Sequence, residues 1–243
     1  MYSKTHNFSF NARFTTPSID AFLADELALL APQKIGGECL NSPVILSVPH
    51  GGQFYPSQMI GNADLHAMRT LEDVGSDIIV MPLVSSEQCA IIAKCSRAII
   101  DVNRPKSALD PKLIKNVNNK AVTIVNDRWQ RYIHSGYGVI PRLSASRRPL
   151  YDVPPTYESV QQRIDLWHQP YHTLISSTLD EAQHIFQKSF LLDIHSMPQS
   201  SPDLADIVIG DMNGHSASQD CSDLIKKELK KFDLTYSMNK PYA

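Results

Sequence analysis

Cysteine is scarce in this chain, charge of one sign never accumulates, and no apolar run is long. The four cysteines, Cys39, Cys89, Cys95 and Cys221, are scattered and form no Cys-x-x-Cys pair. This excludes a zinc knuckle and a disulfide scaffold, and it fits reduced thiols in a cytoplasm. Pro82, Lys94 and Arg97 interrupt the most apolar stretches well short of the ~18 residues a membrane helix needs. Residues 1–20 are polar and lack the apolar core of a secretory signal. The formal net charge is −2, and Lys226-Lys227 and Lys230-Lys231 sit among Leu224, Ile225 and Leu229 at helical spacing. That pattern is a solvated helix face, so neither a nucleic acid nor a membrane is expected as a partner. Internal repeats, low-complexity segments and a linker are also absent.

What is present is an apolar content of 42% against 20% charged residues over 243 positions, enough for a sizeable core. Short apolar runs predict strands at Val44–Val48, Ile78–Val84, Cys89–Ala93, Ala98–Val102, Phe190–Ile194, Ile207–Ile209 and Leu234–Ser237. Helical spacing covers Ser18–Leu30, Ser57 to about Asp77 with an interruption near Gly61, Tyr157 to about Gln187 with Pro170 kinking or splitting it, and Ser218–Lys231. The mixture predicts one α/β domain over residues 1–243, with a central, mixed and mostly parallel sheet flanked by helices. Residues 103–126 make a long, weakly periodic connection, and such a segment is usually functional or mobile. The Gly- and Pro-punctuated loop 136–155 carries Arg142, Arg147 and Arg148, with Arg131 just upstream.

Two of the apolar runs end in histidine: "VILSVPH" at His50 and "FLLDIH" at His195. In open α/β sheets ligands bind beyond the carboxyl ends of the strands, so two imidazoles delivered there can meet on one metal. Neutral imidazole suits Zn²⁺, and a third, acidic ligand leaves a position for water. Glu72 and Asp73 both offer that acid. Asp193, two residues before His195 on the same strand face, is placed to hold the ring N–H of that histidine. Gly51 and Gly52 leave room for substrate beside His50. Asn103 and Arg104, at the end of "AIIDVNRP", offer an amide and a planar guanidinium to a carboxylate. Pairing of Arg104 with Asp101 or Asp110 to hold a loop is the competing reading. Arg142 is a second arginine for an anion or an oxyanion, against a plain solvated role. A metal held by two histidines and an acid lowers the pKa of its water and polarises an amide carbonyl, and a carboxylate moves the proton. The chemistry this predicts is hydrolysis of an N-acyl amino acid.

With those residues in view, the chain resembles the N-formylglutamate amidohydrolase family. The matching stretches are "SVPHGG" (47–52), "LEDVGSDI" (71–78), "RAIIDVNRP" (97–105), "GVIPRL" (138–143), "RPLYD" (148–152), "RIDLWHQPYH" (163–172), "LLDIHSMP" (191–198), "ADIVIGDMNG" (205–214) and "NKPYA" (239–243). They follow the family order from about residue 40 onward. The resemblance implies a fold related to zinc carboxypeptidases and aspartoacylases. It implies zinc or another divalent metal on His50, His195 and an acid at 72–73, Asp73 being favoured because the family motif centres on an aspartate. Asn103 and Arg104 take the carboxylate-clamp role, and Asp101 and Asp193 stand behind the ligands. The substrate implied is N-formyl-L-glutamate or a related small anionic N-acyl amino acid, cleaved to formate and glutamate as in histidine degradation. A deacylase or carboxypeptidase-like hydrolase of another N-blocked acidic compound, or a metal-binding homologue without catalysis, are the alternatives. The chain departs from the family in having Gly51 where serine is usual. The family pattern also continues past "PYA" into a strand and a "Q-x-E" glutamate. The expectation is therefore an uncovered sheet edge, together with a truncated chain, Glu72 or Asp101 in the role of base, or lost activity. Zinc is then expected to bind while N-formylglutamate is hydrolysed poorly.

Overall fold

The computed structural model describes residues 31–60, 63–114, 126–198 and 203–241. The helix expected at Ser18–Leu30 and residues 115–125 of the long connection lie outside these ranges. The described residues divide into two compact units between Ser196 and Met197.

The first unit is built on a four-stranded sheet in the order β1 (Gln33–Ile35), β3 (Ala90–Ile92), β2 (Val44–Val48), β4 (Phe190–Asp193). Strand β2 runs parallel to both β3 and β4, and β1 runs antiparallel to β3, so the sheet is mixed. Among the described residues, the α-helices of this unit are α1 (Ser57–Ile60), α2 (Leu65–Arg69), α3 (Ser76–Val80), α4 (Asp127–His134), α5 (Tyr157–Arg163) and α6 (Gln169–Phe186). Strand alternation sorts the sheet's side chains into two cores. Ile45 and Ile91 pack with Tyr171, Ile175 and Ala182 of α6. Leu46, Val48, Ala90 and Ile92 pack on the opposite side with Val80 of α3. Each isoleucine, leucine or valine among them stabilises the fold by roughly 1.5–3 kcal/mol when fully buried. Ser47 falls on the α6 side, where its hydroxyl lies 2.7 Å from the Tyr171 hydroxyl. A polar group on an apolar face is thereby satisfied. Strand β4 forms one edge of the sheet, with Phe190, Leu191 and Leu192 exposed.

A third cluster gathers Met68, Ile99, Ile100, Val139, Ile140, Leu150, Val160 and Trp167. Arg163 of α5 is buried in it and donates to the carbonyls of Ile99 and Met59 and to the Tyr151 hydroxyl, at 2.9–3.1 Å. It ties turns that no sheet holds.

Three sequence expectations change. Residues 78–84 are not a strand. Helix α3 is followed by a 3₁₀ turn at Met81–Leu83, with Ile78 and Ile79 facing solvent. Gly75, at φ 77°, turns the chain into that helix. Residues 98–102 are buried as expected but curled rather than extended. The Ser96 carbonyl accepts from the amides of Ile99 and Ile100, and its hydroxyl accepts from Ala98, which captures the backbone locally. Pro170 does not split the long helix. A π-helical turn, Ile164–His168, joins α5 to α6, with the Gln169 amide reaching back five residues to the Ile164 carbonyl.

In the second unit, β5 (Ile207–Ile209) pairs in parallel with β6 (Tyr236–Met238), and α7 (Gln219–Leu229) begins at the Ser218 cap. Asp211 ties the unit together. Its carboxylate accepts from the Asn239 side chain at 2.8 Å, the Ser222 hydroxyl at 3.0 Å and the Gly214 amide at 3.2 Å.

Candidate metal centre

Because β2 and β4 are parallel neighbours, their carboxyl ends lie on one side of the sheet. His50 follows one and His195 the other, with ring centroids 4.9 Å apart. Asp73 reaches the same place from the turn before α3. One ligand atom each from His50, Asp73 and His195 lies within 4.8 Å of the others. Asp73 Oδ2 is 2.7 Å from His195 Nδ1 and 3.3 Å from His50 Nδ1. The Ser196 hydroxyl donates to the Val74 carbonyl at 2.8 Å, fastening the segment after His195 to the turn that carries Asp73. His50 is buried, whereas the His195 side chain is 38% exposed, so the cluster opens on the β4 side.

The tautomer of His50 follows from its other nitrogen. Nε2 lies 2.8 Å from Asp101 Oδ1, and Asp101 is fully buried. Burial alone would raise the Asp101 carboxyl. The guanidinium charges of Arg97 and Arg104 and the hydrogen bond from His50 outweigh it and hold the group well below the usual carboxylate range. A carboxylate only accepts, so Nε2 carries the proton and Nδ1 of a neutral ring presents a lone pair. That lone pair faces an Asp73 oxygen. Two facing lone pairs repel unless a proton or a cation lies between them, and a set of two imidazole nitrogens and one carboxylate oxygen suits a divalent metal. Asp73 behaves in the same way: burial would raise it, and the hydrogen bond from His195 keeps it well below its usual range.

Arg97 is the residue that sequence reasoning passed over. Its Nε donates to Asp101 Oδ2 at 3.0 Å and its Nη1 lies 3.7 Å from Asp73 Oδ1, so one guanidinium bridges both carboxylates. The only hint in the sequence is its spacing of four from Asp101, inside the "RAIID" run. Asn103 Nδ2 lies 3.2 Å from His195 Nε2. Arg104 stacks its guanidinium 4.4 Å from the Tyr132 ring centroid and 5.7 Å from that of Trp129. It donates to the Tyr137 and Asn103 carbonyls and stands 3.8 Å from Asp101.

Other candidates go elsewhere. Asp193 lies opposite Ser47 in the strand register, and it does not hold His195 as expected. Both ring nitrogens of His195 are taken, one by Asp73 and one by Asn103. Glu72 Oε1 accepts from the Tyr55 hydroxyl at 2.6 Å and faces Arg69. Arg142 donates to Asp110 at 2.9 Å and braces its own loop. The space beside the Gly51 and Gly52 Cα atoms is filled by the protein itself. A Cβ on Gly51 would meet Val48 Cγ1 at 2.9 Å, and one on Gly52 would meet the Cys95 carbonyl oxygen at 2.3 Å. Gly51 packs against the Val48 and Asp77 side chains, and Gly52 is needed because the chain there runs against the backbone of Lys94 and Cys95, where the Phe54 amide donates to the Lys94 carbonyl.

Comparison with known proteins bears on this arrangement. A family model described as N-formylglutamate amidohydrolase matches residues 42–243. The crystal structure of N-formylglutamate amidohydrolase from Ralstonia eutropha is similar with a TM-score of 0.77 and 27% identity, covering 88% of this chain and 78% of that one. A crystal structure of an Agrobacterium tumefaciens gene product shares the fold with a TM-score of 0.57 and 19% identity, over 87% of this chain and 73% of the other. No curated protein matches the sequence. The chain belongs to the N-formylglutamate amidohydrolase family.

Proposed function

We propose that this protein is a metal-dependent amidohydrolase that cleaves the amide bond of N-formyl-L-glutamate, or of a related small anionic N-acyl amino acid, on a zinc-exopeptidase-like scaffold. The observation that carries this reading is the convergence of His50 Nδ1, His195 Nδ1 and an Asp73 oxygen next to the Asn103–Arg104 pair, in a chain of this family. A bound Zn²⁺ supplies Lewis acidity toward an amide carbonyl and lowers the pKa of water. The protein's own residues do the rest. Asp101 fixes the His50 ring so that Nδ1 points inward, and Arg97 balances the charge of Asp73 and Asp101 together. Arg104 and Asn103 hold the substrate's carboxylate, because a guanidinium and an amide donor on one turn match its two oxygens. Burial lowers the Arg104 pKa from its ordinary value, and a guanidinium remains charged in proteins.

Metal analysis with a formate-release assay tests the proposal. Wild-type protein is expected to carry one divalent metal per chain and to release formate from N-formyl-L-glutamate. His195→Ala removes one of three ligands, so metal content should fall toward zero and activity should fall with it. Full activity in rigorously metal-free protein, or full metal retention by His195→Ala, would overturn it.

A further inference from the structure

The "RIDLWHQPYH" run places His168 at the end of the π-helical turn and His172 one turn later in α6. Neither touches the metal cluster. His168 Nε2 lies 2.7 Å from the Arg104 carbonyl oxygen, and His172 Nε2 lies 2.9 Å from the Val102 carbonyl oxygen. A carbonyl cannot donate, so in both rings Nε2 carries the hydrogen. The two rings lie 4.4 Å apart and 37° from parallel, so each limits the other's rotation. Burial lowers the His168 pKa, which favours the neutral form of that ring beside its neighbour.

The carbonyls they hold flank Asn103. The carbonyl between them, that of Asn103 itself, accepts from Arg104 Nη1 at 2.9 Å. On the amide side, Asn103 donates to Asp101 Oδ1 at 2.9 Å and Arg104 donates to the Asp101 carbonyl at 3.1 Å. Residues 101–104 form a turn without strand pairing, so no ladder orients them. Their backbone acceptors are answered by side chains instead, and two of those side chains are imidazoles from one helix. The π-helical turn matters here because it resets the helix face just before His168.

We propose that His168 and His172 are positioning residues. Acting as a pair, they fix the Val102–Arg104 main chain so that the Asn103 amide and the Arg104 guanidinium meet the substrate's carboxylate together. This rests on the clamp role given to Asn103 and Arg104 above. An imidazole donor at Nε2 can be imitated by the Nε2 amide of glutamine, whereas leucine keeps bulk and loses the bond.

The test compares His168→Leu, His168→Gln, His172→Leu and His172→Gln by steady-state kinetics on N-formyl-L-glutamate, with metal content and melting temperature measured alongside. A misplacement of about 1 Å at a binding group costs up to about 100-fold. The leucine variants should raise KM about tenfold or more, with kcat within about threefold and metal retained, because ground-state binding is what is lost. The glutamine variants should return KM to within about threefold of wild type. An unchanged KM in the leucine variants overturns the proposal. So does glutamine behaving like leucine, or a parallel fall in kcat and metal content. His168 is buried, and if its leucine variant does not fold, the solvent-facing His172 decides the matter through Val102. If wild type leaves N-formyl-L-glutamate intact, the substrate reading fails and the positioning role is read by NMR. The Asn103 side-chain amide resonances should then shift in His172→Leu and recover in His172→Gln, and no shift overturns it.

Discussion

Asp101 in the first unit and Asp211 in the second are both buried carboxylates that gather donors around a turn, but the donors differ in kind. Asp211 is answered by neutral groups: the Asn239 amide, the Ser222 hydroxyl and the Gly214 backbone. Asp101 is answered by Arg97, Arg104, the Asn103 amide and a histidine whose other nitrogen faces the metal cluster. A carboxylate held by neutral donors secures a local shape. One held by guanidinium groups and an imidazole also fixes where protons and lone pairs reside. The difference shows in what each can tolerate, since a serine hydroxyl can reverse its direction and a guanidinium can only donate.

The largest expected effect is that of Asp101→Asn. The amide oxygen can replace Oδ1 toward His50 and the Asn103 amide, but the NH₂ group then confronts Arg97 Nε at a position 3.0 Å away. Removing one partner of a buried ion pair costs about 3–5 kcal/mol. Loss of an outer partner of a metal-binding histidine costs about 10–100-fold in metal affinity. Thermal unfolding and competition against a chelator of known affinity measure both. Wild-type metal affinity in this variant would break the comparison, because Asp101 would then be a structural aspartate like Asp211.

Asp211→Asn should do much less, since Ser222 can turn its hydroxyl to accept from the new NH₂. Metal content should not change. What remains is a pH effect. Hydrogen bonds, that from Asn239 first, hold the Asp211 carboxyl below its ordinary range. A group depressed in the folded state contributes stability above its unfolded pKa of about 3.9 and loses it as pH falls through the folded value. The melting temperature of wild type should therefore exceed that of Asp211→Asn at pH 7, and the gap should close as pH falls from about 5 toward 3. A gap constant over that range would show that the charge of Asp211 contributes nothing.

How far the site could be read from sequence varied with what each residue binds. His50 and His195 were legible because each follows a short apolar run, and parallel pairing of β2 and β4 then puts both on one side of the sheet. Asn103 and Arg104 were legible as a polar pair ending an apolar run. That run was misread as a strand, however, because a buried turn and a buried strand have the same composition. Arg97, His168 and His172 were not legible in their roles. Arg97 serves two acids, one of them far along the chain, and the histidines bond main-chain carbonyls, which leave no mark in a sequence. Gly51 and Gly52 suggested open space and instead mark close packing, Gly51 against Val48 and Asp77 and Gly52 against the backbone of Lys94 and Cys95. The direction of the Asp193 side chain was also beyond reach, since it depends on where the chain leaves β4.

The smallest effect is expected for Glu72→Gln, and it separates two neighbouring acids. Glu72 and Asp73 are adjacent in sequence, yet only Asp73 turns into the metal cluster. Glu72 faces Tyr55, whose hydroxyl is pushed above its ordinary pKa by burial and then by this carboxylate, so the phenol stays protonated and donates. A glutamine oxygen accepts the same bond, weakened by the loss of charge. The cost is that of exchanging a charge-assisted hydrogen bond for a neutral one, on the order of 1 kcal/mol of stability. Loss of a general acid–base group typically costs about 10²–10⁴-fold in rate. Glu72→Gln should instead keep kcat/KM within about threefold, with wild-type metal content, in the formate-release assay. A hundredfold fall in kcat with metal retained would reverse this assignment: Glu72 would have to leave Tyr55 during turnover and serve as the base.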